Sequence, residues 1–201
     1  MYIYEIKKVT DSVDWSKIPE IELENRYIDT PKEARAFAKI AYSDEAFHIY
    51  MRAFEPFGIR REESGALGEP YHDSCLEFFF CPTNGDSRYL NFEFNSNKCL
   101  FVAYGKKLPE RARLIVESEE LFTPEVGFTA DGWEIKYKIP FSFIRILCPD
   151  FEAKSGSSIR ANFYKCAQKM QPAHFLSWSL IPPEDFTFHK PECFGIMTFG
   201  E

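Results

Sequence analysis

Apolar and polar positions alternate with a period of two in several stretches of the chain. In Ala46 to Glu55, Phe47, Ile49 and Met51 alternate with His48, Tyr50 and Arg52. In Tyr89 to Asn95, Leu90, Phe92 and Phe94 alternate with Tyr89, Asn91, Glu93 and Asn95. Cys75 to Cys81 puts Leu76, Phe78 and Phe80 opposite Glu77 and Phe79, and Ile159 to Cys166 puts Ile159, Ala161 and Phe163 opposite Arg160, Asn162 and Tyr164. Each pattern predicts a strand with one face in a core. Further strands are predicted at Ala34 to Tyr42, Cys99 to Tyr104, Arg113 to Glu117, Gly132 to Ile139 and Gly195 to Phe199. The 13 prolines and 10 glycines are scattered between these runs as turn punctuation. The expected fold is all-β: a two-sheet antiparallel β-sandwich, jelly-roll-like, of about ten strands.

Three stretches depart from this pattern. Thr30-Pro31-Lys32-Glu33 before an Ala-rich run has the N-cap, N1 proline and N3 glutamate of a helix start. A strand is nevertheless expected there, because Ser43-Asp44-Glu45 and the following strand read as a hairpin. A short helical turn is expected after Ile139-Pro140, from Phe141 to Leu147. Pro56 to His72 is long for a connection in a compact domain, and such loops often carry function. Gln171 to Glu192 shows no strand pattern and reads as irregular backbone.

A chain of 201 residues has an expected folded surface of ~9,800 Å² against ~34,000 Å² for the open chain, enough burial for one full core. A single domain over residues 1–201 is expected. Aromatic residues make up 17% of the chain and charged residues 27%, which excludes disorder. The net charge of −7, with no Lys/Arg run beyond pairs, offers no footprint for nucleic acid or an anionic membrane. Apolar runs are far short of the ~18 residues a membrane span needs. The N-terminus lacks a secretory pattern, so a cytoplasmic location and six reduced cysteines (75, 81, 99, 148, 166 and 193) are expected.

If the patterned strands are neighbours in one sheet, their outward residues gather His48, Tyr50, Arg52, Glu77, Asn91, Glu93, Asn95, Arg160, Asn162 and Tyr164. Amides, guanidinium groups and carboxylates match vicinal hydroxyls, and aromatic rings cover the C–H face of a pyranose, so this mixture suits a sugar. An antiparallel sheet also shows one polar face to water whatever its function. Glu77 and Glu93 could face each other as a glycosidase acid and base, and either could instead be a counter-ion of Arg52 or Arg160. No G-x-S-x-G, phosphate loop or zinc-type Cys/His spacing is present, so no cofactor is expected. Asn84-Gly85-Asp86 and Asp131-Gly132 offer oxygens for Ca²⁺ but are equally ordinary turns. His174 and His189 flank Trp178 in the irregular segment, where a histidine can donate to a ligand. Trp178 either lines a site or anchors that segment, and Trp133, in phase with Ile135 and Ile139, belongs to the core.

Five ordered blocks carry a family resemblance: Asp73 to Pro82 with Tyr89 to Asn95; Gly132-Trp133-Glu134 with Ile139-Pro140-Phe141; Arg160 to Tyr164; His174 to Trp178; and Phe188-His189-Lys190-Pro191 with Phe194-Gly195. From about Pro31 to Phe199 the chain resembles stand-alone domains of the family 9 carbohydrate-binding modules. The resemblance implies a β-sandwich that clasps a sugar between two aromatic rings, non-catalytically. It places the rings at Tyr71 and Phe188, where relatives typically carry Trp, and a carboxylate hydrogen-bonder at Glu77. With the polar face, the candidate ligand-binding residues are Tyr71, Glu77, Asn91, Glu93, Asn95, Arg160, Asn162, Trp178, Phe188 and His189. A glycoside-acting enzyme using Glu77 and Glu93, and a protein-interaction sandwich, are the alternatives.

Overall fold

In a computed structural model, which describes residues 1–10, 12–107 and 109–201, the alternating stretches form fourteen strands. They are β1 (Ile3–Lys8), β2 (Ile21–Glu22), β3 (Asn25–Tyr27), β4 (Arg35–Tyr42), β5 (Ala46–Phe54), β6 (Cys75–Cys81) and β7 (Tyr89–Asn95). The remainder are β8 (Leu100–Gly105), β9 (Arg111–Leu114), β10 (Glu125–Thr129), β11 (Gly132–Pro140), β12 (Ser158–Ala167), β13 (His174–Ser177) and β14 (Gly195–Phe199).

One layer runs β10-β11-β5-β4 and the other β14-β12-β6-β7-β8-β9, with β13 and β3 extending the second beside β12. β1 joins the layers: Ile3 to Ile6 pair with β14, and Lys7 and Lys8 pair with β4, both in parallel. The sheet is therefore mixed at that seam and antiparallel elsewhere. Between the layers, Ala36, Ala38, Ile40, Phe47, Ile49 and Met51 of the first meet Leu76, Phe78, Phe80, Leu90, Phe92 and Phe163 of the second, all buried. Phe47 is central to this packing, edge-on to Phe80 at 5.6 Å and stacked on Phe199 at 5.8 Å. The accessible surface is 9585 Å², near the expectation for a compact chain of this mass.

The helix-start signal at Thr30 loses to strand pairing. Alternate residues of β4 bury Ala36, Ala38 and Ile40, and β4 pairs with β5 along its whole length. Thr30 instead serves the turn, donating to the Tyr27 carbonyl and accepting from Phe175 N. Phe141–Leu147 is a helix, as expected, pinned by buried Phe141 and Ile144. Two expectations are corrected. The strand expected at Arg113 to Glu117 is β9, Arg111–Leu114, because Gly105 folds back with φ 144° and sets Arg111 opposite it. The segment Gln171 to Glu192 holds β13, paired with β12 and β3. All six cysteines are free thiols, and among the described residues no helix is long and apolar enough to cross a membrane.

Candidate functional site

The outer face of the second layer is built in rows by strand register. One row runs Tyr164, Glu77, Glu93, Phe101 across β12, β6, β7 and β8. The next runs Asn162, Phe79, Asn91, Ala103, Arg113, ending on β9. His48, Tyr50 and Arg52, expected on this face, lie on the outer face of the other layer, because β5 pairs with β4 and β11 rather than with β6. There Tyr50 donates to Glu134 at 2.7 Å, Arg52 pairs with Asp131, and Trp15 packs on Tyr50.

An open cleft of about 460 Å³ lies on the second layer's face. Glu77, Glu93, Phe79 and Ala103 line its floor. Tyr71, from the turn Pro70–His72 at the end of the long loop, lines it together with Phe175, Phe186 and Phe188 from β13 and the segment after it. Arg111 and Arg113 close it on the β9 side, and Gln168, Thr187 and His189 complete the rim. Phe188 stacks on Tyr164, 4.1 Å between centroids at 16°, so its ring is held by the sheet beneath it. Tyr71 is held by a 2.5 Å bond from its hydroxyl to Glu69 and an edge contact with Phe101.

The two floor carboxyls are almost fully buried. Burial, reinforced by the neighbouring Glu93 charge, pushes the Glu77 carboxyl well above its ordinary range. Burial likewise pushes Glu93 up to about 7, against the Asn91 hydrogen bond and the charges of Arg111 and Arg113. Neither Arg52 nor Arg160 reaches them. Two carboxyls opposed on adjacent strands cannot both ionise cheaply, so together they hold a proton and can both donate to and accept from hydroxyl groups.

Asn91 lies under this pair, donating to Glu93 Oε1 at 2.6 Å and accepting from Arg111. Arg111 packs over the Tyr89 ring at 3.8 Å. Arg113 packs over Phe101 at 4.5 Å and donates to the carbonyls of Ala66, Leu67 and Gly68, which fastens the long loop to the β9 edge. His189 Nδ1 faces Tyr89 Oη at 2.7 Å, and burial with the Arg111 charge pushes its pKa down to about 4, leaving a neutral ring stacked on Phe79.

Of the ten candidates, Tyr71, Glu77, Glu93, Phe188 and His189 line the cleft, and Asn91 braces it from below. The other four hold the fold around it. Asn95 donates to Asp73 and the Glu63 carbonyl and accepts from Cys99 N. Arg160 donates to the carbonyls of Pro191 and Asp86. Asn162 grips Ser179 through both ends of its amide. Trp178 packs on Tyr2 and fits over Gly195, where a Cβ would lie 2.7 Å from its ring. His174 is buried beside Glu55, 2.8 Å from its carboxylate, and Glu55 also pairs with Lys165 at 3.0 Å. The oxygen-bearing turns are occupied: Asp86 pairs with Arg88, and Asp131 with Arg52.

Arg111, Arg113, Phe79, Phe101, Phe175 and Phe186 are among the lining residues sequence reasoning missed. Arg111 and Arg113 alternate around Ala112, which was a legible signal, but the expected strand began two residues late.

A β-sandwich whose outer sheet face carries an aromatic-walled cleft over paired carboxyls is the build of a small-ligand-binding module. The chain belongs to carbohydrate-binding family 9, whose model matches residues 6–199. Among solved structures it is similar to a candidate carbohydrate-binding protein from Bacteroides uniformis ATCC 8492, at 28% identity and a TM-score of 0.82 over 98% of this chain and 99% of that one. It shares its fold with a family 9 carbohydrate-binding module from Caldicellulosiruptor kristjanssonii. The cellotriose complex of that module is 12% identical with a TM-score of 0.67, covering 98% of this chain and 93% of that one. The glucose complex is 13% identical with a TM-score of 0.67, covering 99% and 96%. A search of curated proteins found no significant match.

Proposed function

We propose that this domain binds a carbohydrate without cleaving it, in the cleft over Glu77 and Glu93, with Tyr71 and Phe188 as walls against the apolar faces of the sugar. The observation that carries this reading is the combination of a protonatable carboxyl pair on the floor with aromatic rings and guanidinium groups around it. A sugar presents hydroxyls that both donate and accept beside C–H faces that shed water onto rings, and the cleft offers a counterpart for each. Hydrolysis needs an acid and a base or nucleophile flanking the scissile bond. Here both carboxyls lie side by side on one floor, opposed in register and buried, which speaks for binding.

Titration calorimetry against a panel of mono- and disaccharides tests the proposal, with glucose and cellotriose, the ligands in the two Caldicellulosiruptor complexes, placed first. Thermal unfolding is a parallel readout, because a ligand at 100 times its Kd adds ~2.7 kcal/mol of stability. Heat and a melting shift with at least one sugar, with no product after prolonged incubation with aryl glycosides, is the expected outcome. No response to any sugar on a broad glycan array would move the reading to a protein-interaction sandwich, and release of aglycone would make it a hydrolase.

A further inference from the structure

We propose that Cys75, Glu77 and Glu93 form a site for a soft divalent cation such as Zn²⁺ at the cleft floor, with one coordination position left open. The thiol sulfur and one oxygen from each carboxyl lie within 4.8 Å of one another. Modest rotamer changes bring such a group to the ~2.0–2.3 Å bonds of a zinc shell. Strand geometry makes the cluster: β6 projects Cys75 and Glu77 from alternate positions of one face, and β7 sets Glu93 directly opposite Glu77. Three protein ligands and an open fourth position form the zinc arrangement that accepts an exogenous oxygen.

Glu77 independently points to a cation. It is only 2% exposed and makes no ion pair among the described residues, and the neighbouring Cys166 thiol donates to the Tyr71 carbonyl. Cys166 faces Cys75 across β12 and β6. The nearby positive groups are engaged elsewhere: Lys165 pairs with Glu55 at 3.0 Å, and Arg111 and Arg113 donate to Asn91 and to backbone carbonyls. A buried acid that faces another acid and has no ion-pair partner lacks the counter-charge such groups ordinarily have. A divalent ion among the three groups supplies it. Glu77, Glu93 and Cys166 all line the cleft, so an ion can enter from solvent.

The ligand set selects the ion class. Ca²⁺ requires six to eight oxygens and Mg²⁺ an octahedral oxygen shell, whereas one sulfur with two carboxylates suits Zn²⁺ or Co²⁺. On binding, the ion displaces the Cys75 thiol proton and the proton held by the carboxyl pair. Both protons leave to solvent, and Arg111 and Arg113 lie near the remaining negative charge.

The test needs no sugar, so its outcome is separate from that of the carbohydrate proposal. Co²⁺ titrated into chelator-stripped protein should produce a thiolate-to-cobalt charge-transfer band and tetrahedral d–d bands at one equivalent, and Zn²⁺ should abolish both. Cys75→Ser should lose the charge-transfer band and Cys193→Ser should keep it. Glu93→Gln should weaken Co²⁺ binding, since it removes one anionic ligand. If circular dichroism shows that Cys75→Ser does not fold, the wild-type and Glu93→Gln spectra decide. A wild-type spectrum without a thiolate band, a band that survives in folded Cys75→Ser, or undiminished binding by Glu93→Gln overturns the site.

Discussion

Removing both floor carboxyls, with Glu77→Gln and Glu93→Gln together, should change how folding stability depends on pH. Burial moves Glu93 from its ordinary 4.5 to about 7 in the folded chain. A shift of ~2.5 units at ~1.36 kcal/mol per unit is about 3 kcal/mol of linkage. Because the folded state holds this proton to higher pH than the unfolded chain, the contribution is fully present below the unfolded pKa and is lost as pH rises through about 7. Glu77, also raised, acts in the same direction. His189 acts against them: its pKa falls from 6.5 to about 4, so it adds stability as pH rises over that interval. The wild-type curve is therefore flattened, and the carboxyl contribution emerges in the difference curve. Glutamine cannot titrate, yet Gln at position 93 keeps an oxygen to accept from Asn91 Nδ2. Urea midpoints at constant m, measured at half-unit pH steps, give the two curves. The stability of the double variant relative to wild type should climb by about 3 kcal/mol or more across the window from the unfolded carboxyl pKa to just above 7. A difference curve flat to within ~1 kcal/mol would mean that the pair titrates like solvated acids and would refute the buried, proton-holding floor.

Tyr71→Ala should weaken sugar binding by ~1–3 kcal/mol through lost stacking area and leave Tm almost unchanged, because the residue sits on a half-buried turn; calorimetry and a thermal melt on the same sample check both halves. Lys165→Met should destabilise the fold by about 3–5 kcal/mol, since it strips a paired cation from a buried carboxylate. The same change should raise the His174 pKa, because the Lys165 charge is, after burial, a cause that holds it down; proton NMR of the imidazole reads this shift. Asn162→Ala should cost about 1–3 kcal/mol by leaving the Ser179 amide and carbonyl without their buried partners. Faster proteolysis around Ser179 should accompany that loss.

Period-two alternation was enough to place the core. The inward residues of β5, β6, β7 and β12 are buried as the pattern requires, because a strand offers only two faces and the sequence marks which is apolar. The helix-start signal failed at Thr30 for a related reason: capping chemistry is worth about 1 kcal/mol, less than eight residues of paired, half-buried strand. What alternation could not supply was the sheet to which each outward face belongs. His48, Tyr50 and Arg52 have the same polar pattern as Asn91, Glu93 and Asn95, yet strand order puts them on opposite sides of the molecule. Pairing order is a non-local property, and no local spacing encodes it.

The outward amides show a second limit. Asn91, Asn95 and Asn162 look alike as polar residues on strands, and each is fully buried, but burial arises differently in each case. Asn91 supports Glu93 and Arg111, Asn95 ties the long loop through Asp73, and Asn162 stands in for a missing strand partner to Ser179. An amide carries a donor and an acceptor on one short plane, so it can satisfy backbone groups that have lost sheet pairing as readily as it can meet hydroxyls. The Asn-rich composition that pointed to a sugar thus reports two demands at once: support for groups lining the cleft, and loops folded across that face whose backbone polar groups need partners. Once those loops are tied down, the open cleft is lined by the carboxyl pair, the rings, the β9 arginines and the rim residues Gln168, Thr187 and His189.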